Sequence, residues 1–380
     1  MTYPVPYLIL VALLEVCALI VAAPSASGRT RLLSTVVAVA SFFLFFAFRG
    51  FIMSDWIVYY PYFVHCSWSD IYTYTIGSVV AFEPGYTILN LVCRSVFDDY
   101  FFFQFVVCLI DTVLLLRFLR QRVDNIPLAL TLFVVFSGLS IICNLMRNFI
   151  AILLFLNALP YLEERRPLPY FLMCLLAATF HMTALVYMPL YFILHRSFSK
   201  WIYLGVFIAC NVVFLGKISL VMALVSYSGL DEQMSEKVRV YTELFSNASV
   251  LSIGYLERLA TGLLVFCYYD RLREINPRNS VIINALLLYF MAFFLFSEFE
   301  TLSQRSGYLF VFSYWVIWID LMKCFAIANN RKLFVSFVMF YCLLKTWSMT
   351  QLPDMQYDNV LTGMKSYQER LVIHNKTTND

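Results

Sequence analysis

Apolar runs recur along the whole chain, at approximately 6–24, 32–51, 101–120, 126–145, 147–163, 168–181, 182–195, 200–225, 252–270, 279–299, 305–325 and 331–349, with short polar clusters between them. The runs are long and lack the alternation of a strand, so they predict helices. Most approach the length of about 20 residues at which a helix crosses a bilayer core, which gives about twelve spans. Three segments exceed a turn. Residues 52–100 are polar and aromatic, with a short helix expected from Pro84 to Phe97; residues 226–251 are charged; residues 350–380 are polar. The expected organisation is one transmembrane helical domain over 1–350, carrying outer loops 52–100 and 226–251, and a polar C-terminal tail over 351–380. The first run ends in an Ala-rich stretch like a signal-peptide cleavage site. It lacks a positive n-region and its apolar part is too long, so it reads as a retained first span.

Composition agrees. Hydrophobic residues make up 61% of the chain and charged residues 13%, about half the usual quarter. That excludes an ordinary soluble domain, a disordered chain, a collagen and a disulfide scaffold. A net charge of +3 carries no nucleic-acid footprint. The ten cysteines form no CxxC pair and no metal spacing, and they read as small core residues. Cys66 and Cys93 lie outside the long runs, where pairing is the alternative.

The basic residues carry the topology. Arg29 and Arg31; Arg117, Arg120 and Arg122; Arg165 and Arg166; Arg196 and Lys200; Arg271, Arg273 and Arg278; and Lys323, Arg331 and Lys332 together hold fifteen of the 27 Lys and Arg. If these mark cytoplasmic loops, every interval between them crosses the membrane an even number of times. Five hairpins follow, flanked by one span at each end, with both termini outside. The interval 166–196 tests the rule. It is either one long tilted span or two short helices broken at Phe180-His181-Met182-Thr183, and only the hairpin keeps Arg165, Arg166, Arg196 and Lys200 on one side.

The remaining ionisable residues gather at the opposite apices: Arg49, Asp55, Tyr59, Tyr60 and Glu83 on the first hairpin, Asn144 and Arg147 on the second, His181 on the third, Glu257 and Arg258 beside the fourth, Glu298, Glu300 and Arg305 on the fifth. Charge at membrane depth is expensive and points to function. Arginines hold phosphate by charge-assisted, often bidentate bonds, and a nearby carboxylate or histidine takes a proton from an attacking hydroxyl. Each residue also has a structural alternative. Arg49 snorkels, Arg147 fills a polar turn, His181 is a hydrogen-bonded helix end, and Asp55 is an N-cap or a partner of Arg49. Arg258 pairs with Glu257 or another buried acid, and Arg305 pairs with Glu298 or Glu300. The acidic first loop leaves room for a divalent metal, but no spacing demands one.

The order of these pieces resembles a known family. Arg49-Gly50-Phe51-Ile52-Met53-Ser54-Asp55 followed by Tyr59 is similar to an Arg…Gly-x-Asp…Tyr element, with Ser54 where glycine is usual. Phe82-Glu83-Pro84-Gly85-Tyr86 resembles Glu-Pro-Gly-Tyr. Arg147-Asn148-Phe149-Ile150-Ala151 resembles Arg-Gln-x-Ile-Ala, with Asn148 for glutamine. Phe180-His181-Met182-Thr183-Ala184-Leu185 resembles Phe-His-x-Ser-Ala-Leu. Arg305-Ser306-Gly307-Tyr308-Leu309-Phe310 and Tyr357-Asp358-Asn359 resemble later, weaker elements. The family is the EpsG and Wzy-type group of exopolysaccharide and O-antigen repeat-unit polymerases.

The resemblance implies an all-α polytopic membrane protein of about twelve spans with a GT-C-like architecture. It implies glycosyl transfer on the outer face of a bacterial inner membrane, with undecaprenyl-pyrophosphate-linked glycan as donor and acceptor, no cofactor, and a chain-length regulator as a further partner. It assigns Arg147 and Arg305 to the pyrophosphate, with Arg49 and Arg258 as helpers. His181, Asp55 and Glu83 compete as the base, with histidine's ordinary pKa the best suited. Tyr59 is the leading sugar-binding tyrosine, and Tyr308 and Tyr357 stand in the later elements. A flippase of lipid-linked glycans and a ligase that moves finished glycan are the rival classes. Transporters bind near the bilayer midplane, whereas these polar groups sit at helix ends.

Overall fold

A bilayer offers the backbone no hydrogen-bonding partner, so apolar runs of this length satisfy their own amides as helices. In the computed structural model, which describes residues 3–74, 82–220, 223 and 252–379, each of the twelve apolar runs contains helix. The described residues form no strand, and β-type pairing is confined to the isolated bridges Arg49–Asn359 and Asn359–Gly363. The expected outer loop 226–251 lies outside the described residues. Five helical runs are long and apolar enough to cross a membrane: Val5–Ala22, Gly28–Ala47, Tyr100–Arg122, Ile126–Asn144 and Ala328–Met349. A sixth results if Glu300–Tyr308 and Phe312–Cys324, bent by 63°, act as one span. Pro167–Ala178, Met182–Phe192, Lys200–Leu215 and Asn279–Leu295 are shorter apolar helices.

The chain divides into two compact units, Met1–Tyr191 with Lys332–Asp380, and Phe192–Arg331. The first contains α1 (Val5–Ala22), α2 (Gly28–Ala47), α3 (Trp56–His65), α4 (Asp70–Thr73), α5 (Pro84–Val96), α6 (Tyr100–Arg122), α7 (Ile126–Phe133), α8 (Leu139–Asn144), α9 (Met146–Glu163) and α10 (Pro167–Ala178). At its centre lie the α7–α8 run and α9, apolar on all sides and buried along most of their length. A kink at Val134–Gly138 joins α7 to α8, where Phe136 and Ser137 leave helical geometry and Ser137 has φ 70°. Helices α6 and α9 run in the same direction. At one end Arg122 Nη1 meets Glu163 Oε1 at 2.6 Å, and at the other the Tyr100 hydroxyl lies 3.9 Å from Met146 Sδ. Asn125 Nδ2 donates to Ala18 O at the first of these ends, and the Tyr7 hydroxyl donates to Met355 O, joining the start of α1 to the C-terminal segment. The Arg29, Arg117–Arg122 and Arg165 clusters therefore share one end of this unit, as an even number of crossings requires.

The interval 166–196 is a hairpin. The Tyr170 hydroxyl donates to Tyr187 O at 2.6 Å, the Tyr170 and Phe171 rings pack against Tyr191 at 5.2 and 5.3 Å, and Arg165 Nη1 donates to Tyr191 O at 2.9 Å. The chain turns back at Thr179–His181, and the returning arm winds as 3₁₀ helix at Met182–Tyr187 and Pro189–Phe192. At about 1.5 Å per α residue and about 2.0 Å per 3₁₀ residue, the two arms reach roughly 18 and 22 Å, short of a bilayer core of about 30 Å. The tighter winding lets a short return arm match its partner.

Part of the C-terminal segment folds back onto the first unit. Gly50 N donates to Asp358 O at 2.8 Å, Val360 N to Phe48 O at 2.8 Å and Met53 N to Asp354 O at 3.0 Å. The Tyr367 ring then stacks on Tyr60 at 4.9 Å and meets Trp56 edge-on at 5.2 Å. All ten cysteines are free, so the Cys66–Cys93 pairing is not realised.

Topology reporters fused after Arg166 and after Arg196 are expected to report the same compartment. Opposite compartments would replace the hairpin with a single tilted span.

Candidate functional site

The site builds from the start of α5. Pro84 occupies the first helical position, where its missing N–H costs nothing. Gly85 N donates to Thr179 O at 2.8 Å, and a Cβ at Gly85 would collide with Thr179, so only glycine seats α5 this closely on the end of α10. Glu83 stands at the N-cap position of α5 but does not cap it. Its carboxylate reaches across, pairing through Oε2 with Arg147 Nη1 and accepting Met182 N at 3.2 Å through Oε1. Arg147 lies in the first turn of α9, with its guanidinium carbon 3.8 Å from the Phe82 ring centroid, a cation–π arrangement that strengthens away from water. Arg147 Nε is buried without a hydrogen-bond partner among the described residues. Three motif segments thus meet at one carboxylate.

Asn144 ties in the fourth. Its Oδ1 accepts Ser54 N and Asp55 N, each at 3.2 Å, and its carbonyl accepts the Tyr59 hydroxyl at 3.2 Å. Asp55 occupies the N-cap position of α3, half-buried and without a capping bond to its own helix. Burial pushes the Tyr59 hydroxyl up to about 12, with Arg147 pulling in the opposite direction. Tyr59 is therefore a neutral donor at physiological pH.

His181 stands at the turn between α10 and the 3₁₀ arm. Its Nδ1 lies 2.8 Å from Thr183 Oγ1 and 3.3 Å from Thr183 N, and Thr183 Oγ1 donates to Asn148 Oδ1 at 3.0 Å. Asn148 is buried next to Arg147 on α9. Asp55, Tyr59, Glu83, Arg147 and His181 thus belong to one connected neighbourhood. Asn144, Asn148 and Thr183 complete it, although sequence reasoning gives them no role of their own. Their signal is positional, since each lies within three residues of an assigned side chain.

Arg49 and Tyr357 act differently. The Arg49 guanidinium is buried rather than snorkelling. It donates to Phe46 O at 2.6 Å and Ile142 O at 3.0 Å, while its own carbonyl accepts Gln104 Nε2 at 2.7 Å. These contacts tie the end of α2 to α8 and α6. Tyr357 stacks on Phe45 at 4.2 Å, donates to Phe45 O at 2.9 Å and accepts Asn359 Nδ2 at 3.0 Å. Both side chains hold the C-terminal segment and the end of α2 together.

Arg258, Arg305 and Tyr308 belong to the second unit. Arg258 donates through Nε to the Tyr289 hydroxyl at 3.0 Å and through Nη1 to Gly254 O at 2.7 Å, and its guanidinium carbon lies 3.5 Å from the Phe293 centroid. Arg305 is exposed on Glu300–Tyr308 and forms no ion pair with a described residue, while Glu300 accepts Gln304 Nε2 at 2.8 Å. Tyr308 ends the same helix, half-buried. No group of three or more His, Cys, Asp or Glu side chains among the described residues could hold a metal ion.

A helical membrane protein with an arginine, a carboxylate and a histidine joined where helix ends meet is the class that this fold and site define. The EpsG family model matches residues 32–362, and the chain belongs to the EpsG family. It is, broadly, a membrane protein of the polysaccharide-polymerase type. Searches of curated proteins and of solved structures return no match.

Replacing Glu83 with Ala strands the Arg147 guanidinium. Fully buried pairs lose about 3–5 kcal/mol when one partner is removed, and the residual exposure of Arg147 reduces that to roughly 2–3 kcal/mol. Thermal unfolding in nanodiscs should show the loss, and Glu83→Gln with Arg147→Met should recover most of it. An unchanged melting curve for Glu83→Ala would remove the pair from the scaffold.

Proposed function

We propose that this chain polymerises undecaprenyl-pyrophosphate-linked oligosaccharide repeats into a surface polysaccharide on the outer face of a bacterial inner membrane. The observation that carries the reading is the junction of Arg147, Glu83 and His181 where α5 and α9 begin and α10 ends. The reading includes about twelve crossings, a GT-C-like arrangement, and a site at the end of the first unit opposite its basic clusters.

In the proposed step a hydroxyl of the incoming lipid-linked repeat attacks the anomeric carbon of the growing chain. The new C–O bond forms as the bond to lipid pyrophosphate breaks, and the electron pair leaves with the pyrophosphate. His181 takes the hydroxyl proton. Negative charge grows on the leaving group, so Arg147 stabilises the transition state more than the ground state, the role that the resemblance also assigns to Arg305. Glu83 is committed to Arg147 and the Met182 amide, which favours His181 over Glu83 as the base and makes Glu83 the residue that aims Arg147. Asp55 and Tyr59 stand beside the sugar, and Arg258 and Tyr308 keep the substrate-binding role that the resemblance gives them. A chain-length regulator is proposed as a partner.

An apolar groove supports a lipid carrier. It has a volume of about 430 Å³ and is lined by Val113, Ile150, Leu154, Leu176 and Phe180 among others. Arg147, Ile150 and Leu154 follow at i, i+3 and i+7, so the groove continues the stripe of α9 that starts at the cation. An anionic head on Arg147 would leave its hydrocarbon tail in line with that groove.

Arg147→Ala and His181→Ala should each collapse the long-chain glycan ladder to single repeats with the protein still inserted. Normal long chains from both variants would sink the assignment. In a deletion strain, single lipid-linked repeats should accumulate on the outer face. Accumulation on the inner face would indicate a flippase, and full-length unattached chains a ligase.

A further inference from the structure

Helix α5 carries its amphipathicity inverted. A surface helix in water turns its polar side outward. Here Thr87 and Asn90 are buried while Ile88, Val92, Val96 and Phe97 are exposed. The first three recur at i, i+4 and i+8, one stripe of the helix. Ser95, the polar residue on that face, gives its hydroxyl to Val92 O at 2.7 Å. Arg94, the one charged residue of α5, pairs with Asp98 and donates to Cys66 O at 3.2 Å. Both side chains find their bonds within the protein, as a lipid environment demands.

At 13 residues α5 reaches about 20 Å and cannot span a core of about 30 Å. It does not run down α6 either. The Phe97 ring meets Phe102 at 5.7 Å, and Tyr86, eleven positions back, meets Phe103 at 5.6 Å. An antiparallel helix would have carried Tyr86 about 16 Å along α6. The first residues of α5 rest on α9 and α10 through the Glu83–Arg147 and Gly85–Thr179 contacts, so α5 lies across the ends of three helices. Those ends are sunk in the bilayer. From Glu163, beside the basic clusters, α9 rises about 24 Å to Arg147, which leaves Arg147 roughly 6 Å inside the far boundary of the core. The apolar groove of Ile150, Leu154, Leu176 and Phe180 opens below α5, between the same three helices. Leu109, Val113 and Leu176 are exposed along it, continuous with the lipid-facing surface of the bundle.

We infer that α5 lies in the lipid boundary, with Ile88, Val92, Val96 and Phe97 against acyl chains, and forms the lintel of a sideways entrance through which the lipid-linked repeat reaches Arg147 from the bilayer. The inference rests on the reading of the substrate as lipid-linked. Drawing a polyprenyl chain into water costs more with every methylene. Through this entrance the chain stays in hydrocarbon along the groove while its anionic head arrives at the depth of Arg147. Trp68 and Tyr72, both exposed at α4, which packs against α5, then occupy the interfacial belt that these residue types favour.

Spin labels read the placement directly. Of the ten cysteines only Cys267 is exposed, so a Cys267→Ser background accepts Ile88→Cys, Val92→Cys, Val96→Cys and Asp98→Cys singly. In phosphatidylethanolamine–phosphatidylglycerol nanodiscs, labels at positions 88, 92 and 96 should collide more with oxygen, which partitions into lipid, than with a water-soluble nickel chelate. The label at position 98 should show the reverse. Nickel collisions dominating at 88, 92 and 96 overturn the inference. Val92→Asp should raise KM for the full-length lipid-linked repeat on the order of tenfold, with KM for a water-soluble short-chain analogue little changed, because a charge on the lintel obstructs only arrival from lipid. Val92→Leu should match wild type. Equal losses with both substrates overturn the entrance. A wild-type chain that polymerises no lipid-linked repeat, with the oxygen pattern in place, overturns the proposed function and leaves α5 in lipid. Melting curves identify a Val92→Asp chain that fails to fold, and Ile88→Asp with the collision pattern then decides.

Discussion

One carboxylate holds the arrangement together. Glu83 is shared between the Arg147 guanidinium and the Met182 amide, so α5, α9 and the 3₁₀ arm are fixed at a common point. Taking a carboxylate and a guanidinium out of water is costly, and their attraction compensates only when the remaining donors and acceptors are also satisfied. Both Glu83 oxygens are engaged, and the Phe82 face covers the cation. Close seating of α5 on α10 is a condition of that geometry, because a side chain at Gly85 would lift the Glu83 backbone away from Met182. The site is thus a consequence of how three helix ends pack.

Helix ends are also where the chain solves its backbone problem. The last carbonyls of a helix have no partner within it, and in a membrane they cannot turn to water. Arg49 supplies two such partners, at Phe46 near the end of α2 and at Ile142 in α8. Asn144 does the same for the amides that open α3. The polar side chains of the junction therefore have two physical jobs. Some neutralise backbone groups, and others remain able to meet a substrate.

Hydrophobic periodicity made the fold legible to a large extent. All twelve apolar runs contain helix, and the basic clusters singled out the 166–196 hairpin, since a single span would have split Arg165 from Arg196. The details that periodicity could not carry are those decided by tertiary contact. The return arm winds as 3₁₀ because it must match α10 between Tyr170 and Tyr191. The kink at Val134–Gly138 falls at Ser137-Gly138, a short polar and flexible pair inside a run that otherwise reads as one helix. The segment 351–380 reads as polar, yet its anchoring to Phe48, Gly50 and Met53 uses backbone groups and leaves no trace in side-chain pattern. At the site, the ordered motifs brought Glu83, Arg147 and His181 forward together. Thr183 and Asn148 stayed in the background because neither is charged, although a threonine two residues after a histidine is well placed to hydrogen-bond it.

The arginines show how a shared position in the topology separates into different roles. An arginine outside the basic clusters suggests an anion, and Arg49, Arg147, Arg258 and Arg305 all invite that reading. Counting committed donors divides them. Arg49 spends its two Nη groups on carbonyls and sits 4% exposed, so an anion would have to displace helix ends to reach it. Arg258 donates to a tyrosine and a carbonyl and lies against Phe293. Arg147 is held by Glu83 and Tyr59 and retains a fifth of its side-chain surface, and Arg305 is exposed without an ion-pair partner among the described residues. A guanidinium has five N–H donors in a rigid fork, so Glu83 and Tyr59 aim Arg147 without exhausting it, and its Nε has no partner among the described residues. Tight binding of an anion needs a cation that is fixed in direction and still has donors to give, and Arg147 meets both conditions at once.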